Sequence, residues 1–169
     1  MAYRSIDLAL EDLVASGLVE RTSFGRERLV RLSSTHRLAP IVAGLFHAEA
    51  DFYPALRVAL RAVTVGLHSE LLAVAIVGPV ARHLERLESP VELLILATTP
   101  AAATAWEHRF VAAGADMLGR FGADLKPIAY DLPTARNMWR SRTPAAERAV
   151  RDAESVSGPP ILTLLSAPE

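Results

Sequence analysis

The chain has 169 residues, is 51% apolar and 22% charged, and carries a formal charge of −1. That is the composition of a soluble globular protein, neither disordered nor collagenous. It holds no cysteine, which excludes a disulfide framework, a thiolate metal site and a cysteine nucleophile, and nothing implies secretion. The longest apolar runs, such as 71–77, fall far short of the roughly 18 residues needed to cross a bilayer, and Arg4 and Asp7 interrupt any signal-like start. A cytoplasmic protein with no membrane partner is expected.

In residues 5–16 the apolar positions Ile6, Ala9, Leu10, Leu13 and Val14 recur at the spacing of an amphipathic helix, with Ser5 placed to cap it. Gly17 supplies a left-handed stop. Residues 18–22 and 27–32, joined by a turn at Ser23, Phe24, Gly25 and Arg26, read as a β-hairpin. From Glu20 to Arg37 there are five arginines against two glutamates, and arginine on a hairpin can meet phosphates. The plainer reading is a solvated hairpin face.

Pro40 opens an apolar-periodic stretch through Leu45, Phe46, Tyr53, Leu56, Leu60 and Val63 that reads as a connecting helix. Pro54 is expected to break or kink it near Phe52. His47 and Asp51, four apart beside Glu49, give only two candidate ligands, so a solvated helix face is favoured over a metal site. Residues 71–77 suit a buried strand, Gly78 breaks it, and 80–87 look helical. A second strand spans 91–97. Thr99-Pro100 reads as a cap and first turn of a helix ending near Gly122. Residues 124–130 suit a third strand, 134–139 a short helix, Thr143-Pro144 opens another, and 161–165 read as a terminal strand or extended segment.

Two resemblances follow. The order helix, glycine, hairpin, with the wording Leu13-Val14-Ala15-Ser16-Gly17-Leu18-Val19, resembles the second half of a winged-helix DNA-binding domain over residues 3–37. It implies a recognition helix carrying Tyr3, Arg4 and Asp7, and a wing carrying Arg21, Arg26 and Arg28. Leu8 stands where that family often has a polar or basic residue, and no helices precede the recognition helix. Either a longer start or another chain completes the fold, or the element serves dimerisation or packing. In such regulators the connecting helix often pairs with its twin across a homodimer.

Gly78-Pro79-Val80-Ala81-Arg82, followed by Ser89-Pro90-Val91-Glu92-Leu93-Leu94, resembles the minimal nucleotidyltransferase signature. The resemblance spans roughly 67–165. It implies a phosphate-holding turn and two carboxylates on alternate strand residues that hold Mg²⁺ against a nucleoside triphosphate. Here Pro90 replaces the first acid and only Glu92 remains. Pro79 offers neither hydroxyl nor N–H, and His83 replaces a glycine. Asp124 is a candidate remnant of a third acid; the plainer reading pairs Glu92 with Arg82 and leaves Asp124 on the surface.

The expectation is an α+β chain: a partial winged-helix element (1–38), a connecting helix (39–66), and a nucleotidyltransferase-like mixed sheet flanked by helices (67–169). Its expected function is that of a DNA-binding regulator or regulatory interaction protein. The degenerate site (Gly78, Pro79, Arg82, Ser89, Pro90, Glu92, Asp124) would have no catalytic residue, metal or cofactor. The alternative is an active transferase using Mg²⁺ and a nucleoside triphosphate on a small molecule or partner protein.

Overall fold

The computed structural model describes residues 2–25, 27–66, 70–84, 89–141 and 144–167. They form an α+β chain with seven helices, a two-stranded hairpin and a four-stranded mixed sheet. The chain divides into two compact units, Met1–Phe52 and Tyr53–Glu169. No helix among the described residues is long and apolar enough to cross a membrane.

In the first unit, helix α1 (Ala2–Ala15) begins before the expected cap, so Ser5 lies inside it rather than at its start. The helix ends as its glycine dictates: Gly17 takes φ 76° and donates its N–H to the Val14 carbonyl at 3.0 Å, a left-handed stop that costs other residues a Cβ clash. Strands β1 (Val19–Phe24) and β2 (Glu27–Leu32) pair antiparallel, Val19 opposite Leu32 and Phe24 opposite Glu27. Gly25, at φ 61°, opens the tight turn between them.

Helix α2 (Ala39–Val63) contains Pro54, which does not end it. A proline forfeits one i→i−4 hydrogen bond, and the turns beyond it are held independently in the second unit. Leu56 and Leu60 are fully buried there. Arg57 and Arg61 donate to the carbonyls of Ser155 and Val156, each at 2.9 Å. At its end, Arg109 donates to the Val63 carbonyl at 2.7 Å.

The second unit is built on strands β3 (Leu71–Val77) and β4 (Val91–Ala97), with the one-turn helix α3 (Gly78–Ala81) following β3. The expected helix over 80–87 stops at Ala81 in the described part; residues 85–88 lie outside the described residues. Helix α4 (Pro100–Phe121) starts where Thr99 accepts from the Ala102 N–H at 3.2 Å with proline in its first turn, and stops at Gly122, φ 63°. Then come β5 (Leu125–Asp131), α5 (Leu132–Arg140), α6 (Pro144–Arg151), β6 (Glu154–Ser157) and α7 (Ile161–Ser166). Thr143 lies outside the described residues.

The sheet order is β5-β4-β3-β6: β4 is parallel to β5 and antiparallel to β3, and β6 is antiparallel to β3. Segment 161–165 is therefore helix rather than strand. Ile161 and Leu165, four apart, are its buried pair, a spacing that five residues of apolar sequence do not distinguish from extended chain. Strand β6 has one buried side chain, Val156, too little to stand out as a strand. Ala73, Ala75 and Leu96 form a core on one sheet face with Ala135, Val150, Ile161 and Leu165 from α5, α6 and α7.

Candidate functional site

Gly78 closes β3 and opens α3 at φ 77°. Val77 lies opposite Glu92 in the antiparallel register, and the Glu92 carboxylate occupies the space above the glycine. A Cβ on Gly78 would meet Glu92 Oε2 at 2.5 Å and Cδ at 3.0 Å. The positive φ favours glycine here, and any Cβ would also have to displace the Glu92 carboxylate. Pro79 fits the first turn of α3, where an N–H would have no helical partner.

The turn after α3 is closed by the Arg82 N–H on the Pro79 carbonyl at 3.2 Å and the His83 N–H on Val80 at 3.1 Å. His83 has φ 52°, the single non-glycine with positive φ among the described residues. Histidine tolerates this region better than most residues. The backbone expected of a glycine there is kept, with an imidazole added. His83 Nε2 lies 3.6 Å from Glu154 Oε1, and its ring meets Tyr53 edge-on, centroids 4.7 Å apart.

Arg82 does not pair with Glu92. Its Nε donates to the Gly78 carbonyl at 3.3 Å and lies 3.6 Å from Asp152 Oδ2. The Glu92 carboxylate has no hydrogen bond or ion pair with any described residue. Ser89 and Pro90 lead half-buried into β4, and Asp124 is exposed, its carbonyl accepting the Val91 N–H at 2.8 Å. On β5 the residue level with Glu92 is Lys126, so Asp124 stands two positions earlier, just ahead of the Val91–Leu125 pair. Neither Lys126 nor the Tyr53–His83 contact is visible in the motif spacing, because both depend on strand register and on a helix far off in sequence.

Beyond Glu92, on the sheet face it shares with Leu94 and Leu96, lies a cavity of about 320 Å³ bounded also by β5, α5, α6 and α7. Its described lining is apolar apart from Glu92 and the Tyr130 phenol. A divalent ion at this turn would find one strand carboxylate, no hydroxyl from Pro79 and no ligand from Pro90; a triphosphate directed into the cavity would meet no basic side chain among the described lining. The donor set of the described residues does not fit Mg²⁺ and a nucleotide. Among the described residues no group of three or more His, Asp or Glu gathers anywhere. His47 and Asp51 are both exposed on α2.

The hairpin sorts its arginines. Arg31 is tied to Glu20, Nη2 to Oε2 2.6 Å, and that hydrogen-bonded guanidinium, with a smaller contribution from Ser33, holds the Glu20 carboxyl below its ordinary range. Arg21 stands opposite Val30 and Arg28 opposite Ser23, so the pleat places both exposed arginines on the face away from Arg31. Asp7 is exposed on α1. Tyr3 and Arg4 belong to the α1 backbone, but their side chains, like all of Arg26, lie outside the described residues.

Burial in the first unit is slight. Of its described side chains only Ser33 and Ala39 are buried, while Ile6, Leu8, Phe24, Leu29, Ile41, Leu45 and Phe46 are exposed.

No protein-family model matches the chain, and no curated protein matches it. A solved structure, the crystal structure of a toxin-antitoxin with AMP-PNP, is similar over 61% of this chain and 73% of that one, with 14% sequence identity and a TM-score of 0.39.

Proposed function

We propose that the chain is a regulatory interaction protein: an N-terminal winged-helix-like unit that self-associates and contacts DNA, joined to a nucleotidyltransferase-like domain that does not catalyse. The observation that carries this reading is the uncovered apolar surface of the first unit. A monomer seldom leaves so many large apolar side chains in water unless another chain covers them. On α2, Ile41 and Leu45 are exposed four residues apart, with Leu38 exposed just ahead of the helix; a same-face apolar pair of this kind suits pairing of a helix with its own copy, so a second copy is the proposed partner. Arg21 and Arg28, sharing one hairpin face, are the proposed phosphate contacts; Arg4 and Arg26 join them on the winged-helix resemblance alone.

Light scattering together with anisotropy of a labelled duplex at two salt concentrations tests the reading. The expected result is a dimer whose DNA affinity falls with salt, roughly one power of salt per phosphate neutralised, and falls further in Arg21→Ala/Arg28→Ala. A monomer without DNA affinity at low salt overturns it.

The second reading is an active Mg²⁺-dependent transferase. What favours it is the Gly78 turn with a carboxylate still poised above it. What opposes it is the donor set: one acid on the strand, proline at position 90, and no phosphate partner from Pro79. Calorimetry with Mg-ATP separates the two, since metal-dependent binding abolished by Glu92→Gln belongs to the transferase alone.

A further inference from the structure

We propose that the cavity beside Glu92 binds a small organic amine, an apolar or aromatic body bearing one ammonium group. The inference goes beyond the reading above and does not depend on the first unit. The cavity, about 320 Å³, falls at the lower end of the range of small-ligand sites, about 300–1,000 Å³. Its walls are Leu94, Leu96 and Ile128 from the sheet, with Tyr130 and Trp139 supplying aromatic surface.

Charge decides the class of ligand. Glu92 is the one charged side chain among the described lining residues, and it makes no hydrogen bond or ion pair with any described residue. Lys126, level with it on β5, does not pair with it. A carboxylate left without a donor at the mouth of an apolar space gains most from a group that donates several hydrogen bonds and carries positive charge. A phosphate or carboxylate entering the same space would find no counter-charge among the described lining residues and would be pushed away by Glu92. An ammonium can also rest against the aromatic faces.

The other large cavity, about 440 Å³ and lined by Arg57, Arg61, His83 and Glu154, is the weaker site. Its arginines are engaged by the Ser155 and Val156 carbonyls, and His83 faces Glu154.

The experiment is calorimetric titration of the full chain with 4-phenylbutylamine, with 4-phenylbutanoate as its anionic counterpart, and with Mg-ATP. The amine is expected to bind about tenfold or more tightly than the carboxylate, a charge-assisted contact's worth. Glu92→Gln is expected to erase that preference, and Ala149→Phe, which fills the cavity, to abolish amine binding; thermal melts establish that each variant is folded, and either variant alone decides. Equal binding of amine and carboxylate, or no amine binding, overturns the proposal while leaving the proposed function intact. Displacement of the amine by Mg-ATP overturns both.

Discussion

At the scale of single residues, Gly78 and Gly158 each occupy a left-handed position where a Cβ would meet a close neighbour, but their obstacles differ. Above Gly78 sits the end of a flexible carboxylate. Gly78→Ala is expected to cost about 1–2 kcal/mol from the backbone conformation plus the displacement of Glu92, and Glu92→Ala in the same chain should recover only the second part. A double-mutant cycle in urea measures it. Gly158, φ 76°, faces the Leu72 carbonyl oxygen and the Ala73 Cα, which are backbone. Gly158→Ala cannot be relieved by a rotamer change and should cost more, about 2–3 kcal/mol or above, read from the same denaturation midpoints. The demand at Gly78 was legible in its motif. That at Gly158 was not, because its obstacle comes from a strand more than eighty residues away.

At the scale of elements, paired cap signals and long apolar runs match the structure, whereas single-residue signals and short apolar runs are overridden by packing. Thr99-Pro100 and Gly122 bound α4 as their cap chemistry requires, and the continuous apolar runs over 71–77 and 91–97 are the two central strands. Ser5 was misplaced as a cap because a serine is equally at home inside a helix. The break expected as one outcome at Pro54 does not occur, because the arginine and leucine anchors that carry α2 past it are long-range. Segment 161–165 was misassigned because four apolar residues in five suit a strand as well as one buried turn of helix. The candidate site was legible as a set of losses, Pro79 and Pro90 above all, but the cavity beyond Glu92 was not, since its walls come from six separate elements.

Helix α5 offers an element-scale test. The Asp131 carboxylate accepts from the Thr134 N–H at 3.0 Å and its hydroxyl at 2.8 Å, and these bonds, the backbone one foremost, hold its carboxyl below the ordinary range. With the folded value lowered, the stabilisation is complete above the unfolded value of about 3.9 and is lost as pH falls through the folded one. Asp131→Asn retains a capping oxygen without the titration. It should therefore lose less stability than the parent chain between neutral pH and about pH 2, compared by urea midpoints at each pH.

At the scale of the molecule, the two units divide their burial unequally. The second has a core on its sheet; the first has an apolar surface and almost no interior. If self-association covers that surface, Leu45→Glu on the α2 seam should convert the dimer to monomer at about 10–100 µM by light scattering while leaving the melting of the second unit in place. Ligand binding at the Glu92 cavity should survive the same substitution, since every described residue that lines it belongs to the second unit.

The guanidinium bonds from α2 to β6 bear on more than the helix. A sheet's outermost strand invites recruitment of another molecule's backbone, and both rims of this sheet are guarded, one by Pro127 and Lys126 within β5, the other by Arg57 and Arg61 occupying carbonyls of β6. Stripping the second guard with Arg57→Ala/Arg61→Ala should leave the native state soluble when cold yet seed turbidity and thioflavin-positive fibrils on mild heating, whereas the parent chain stays clear.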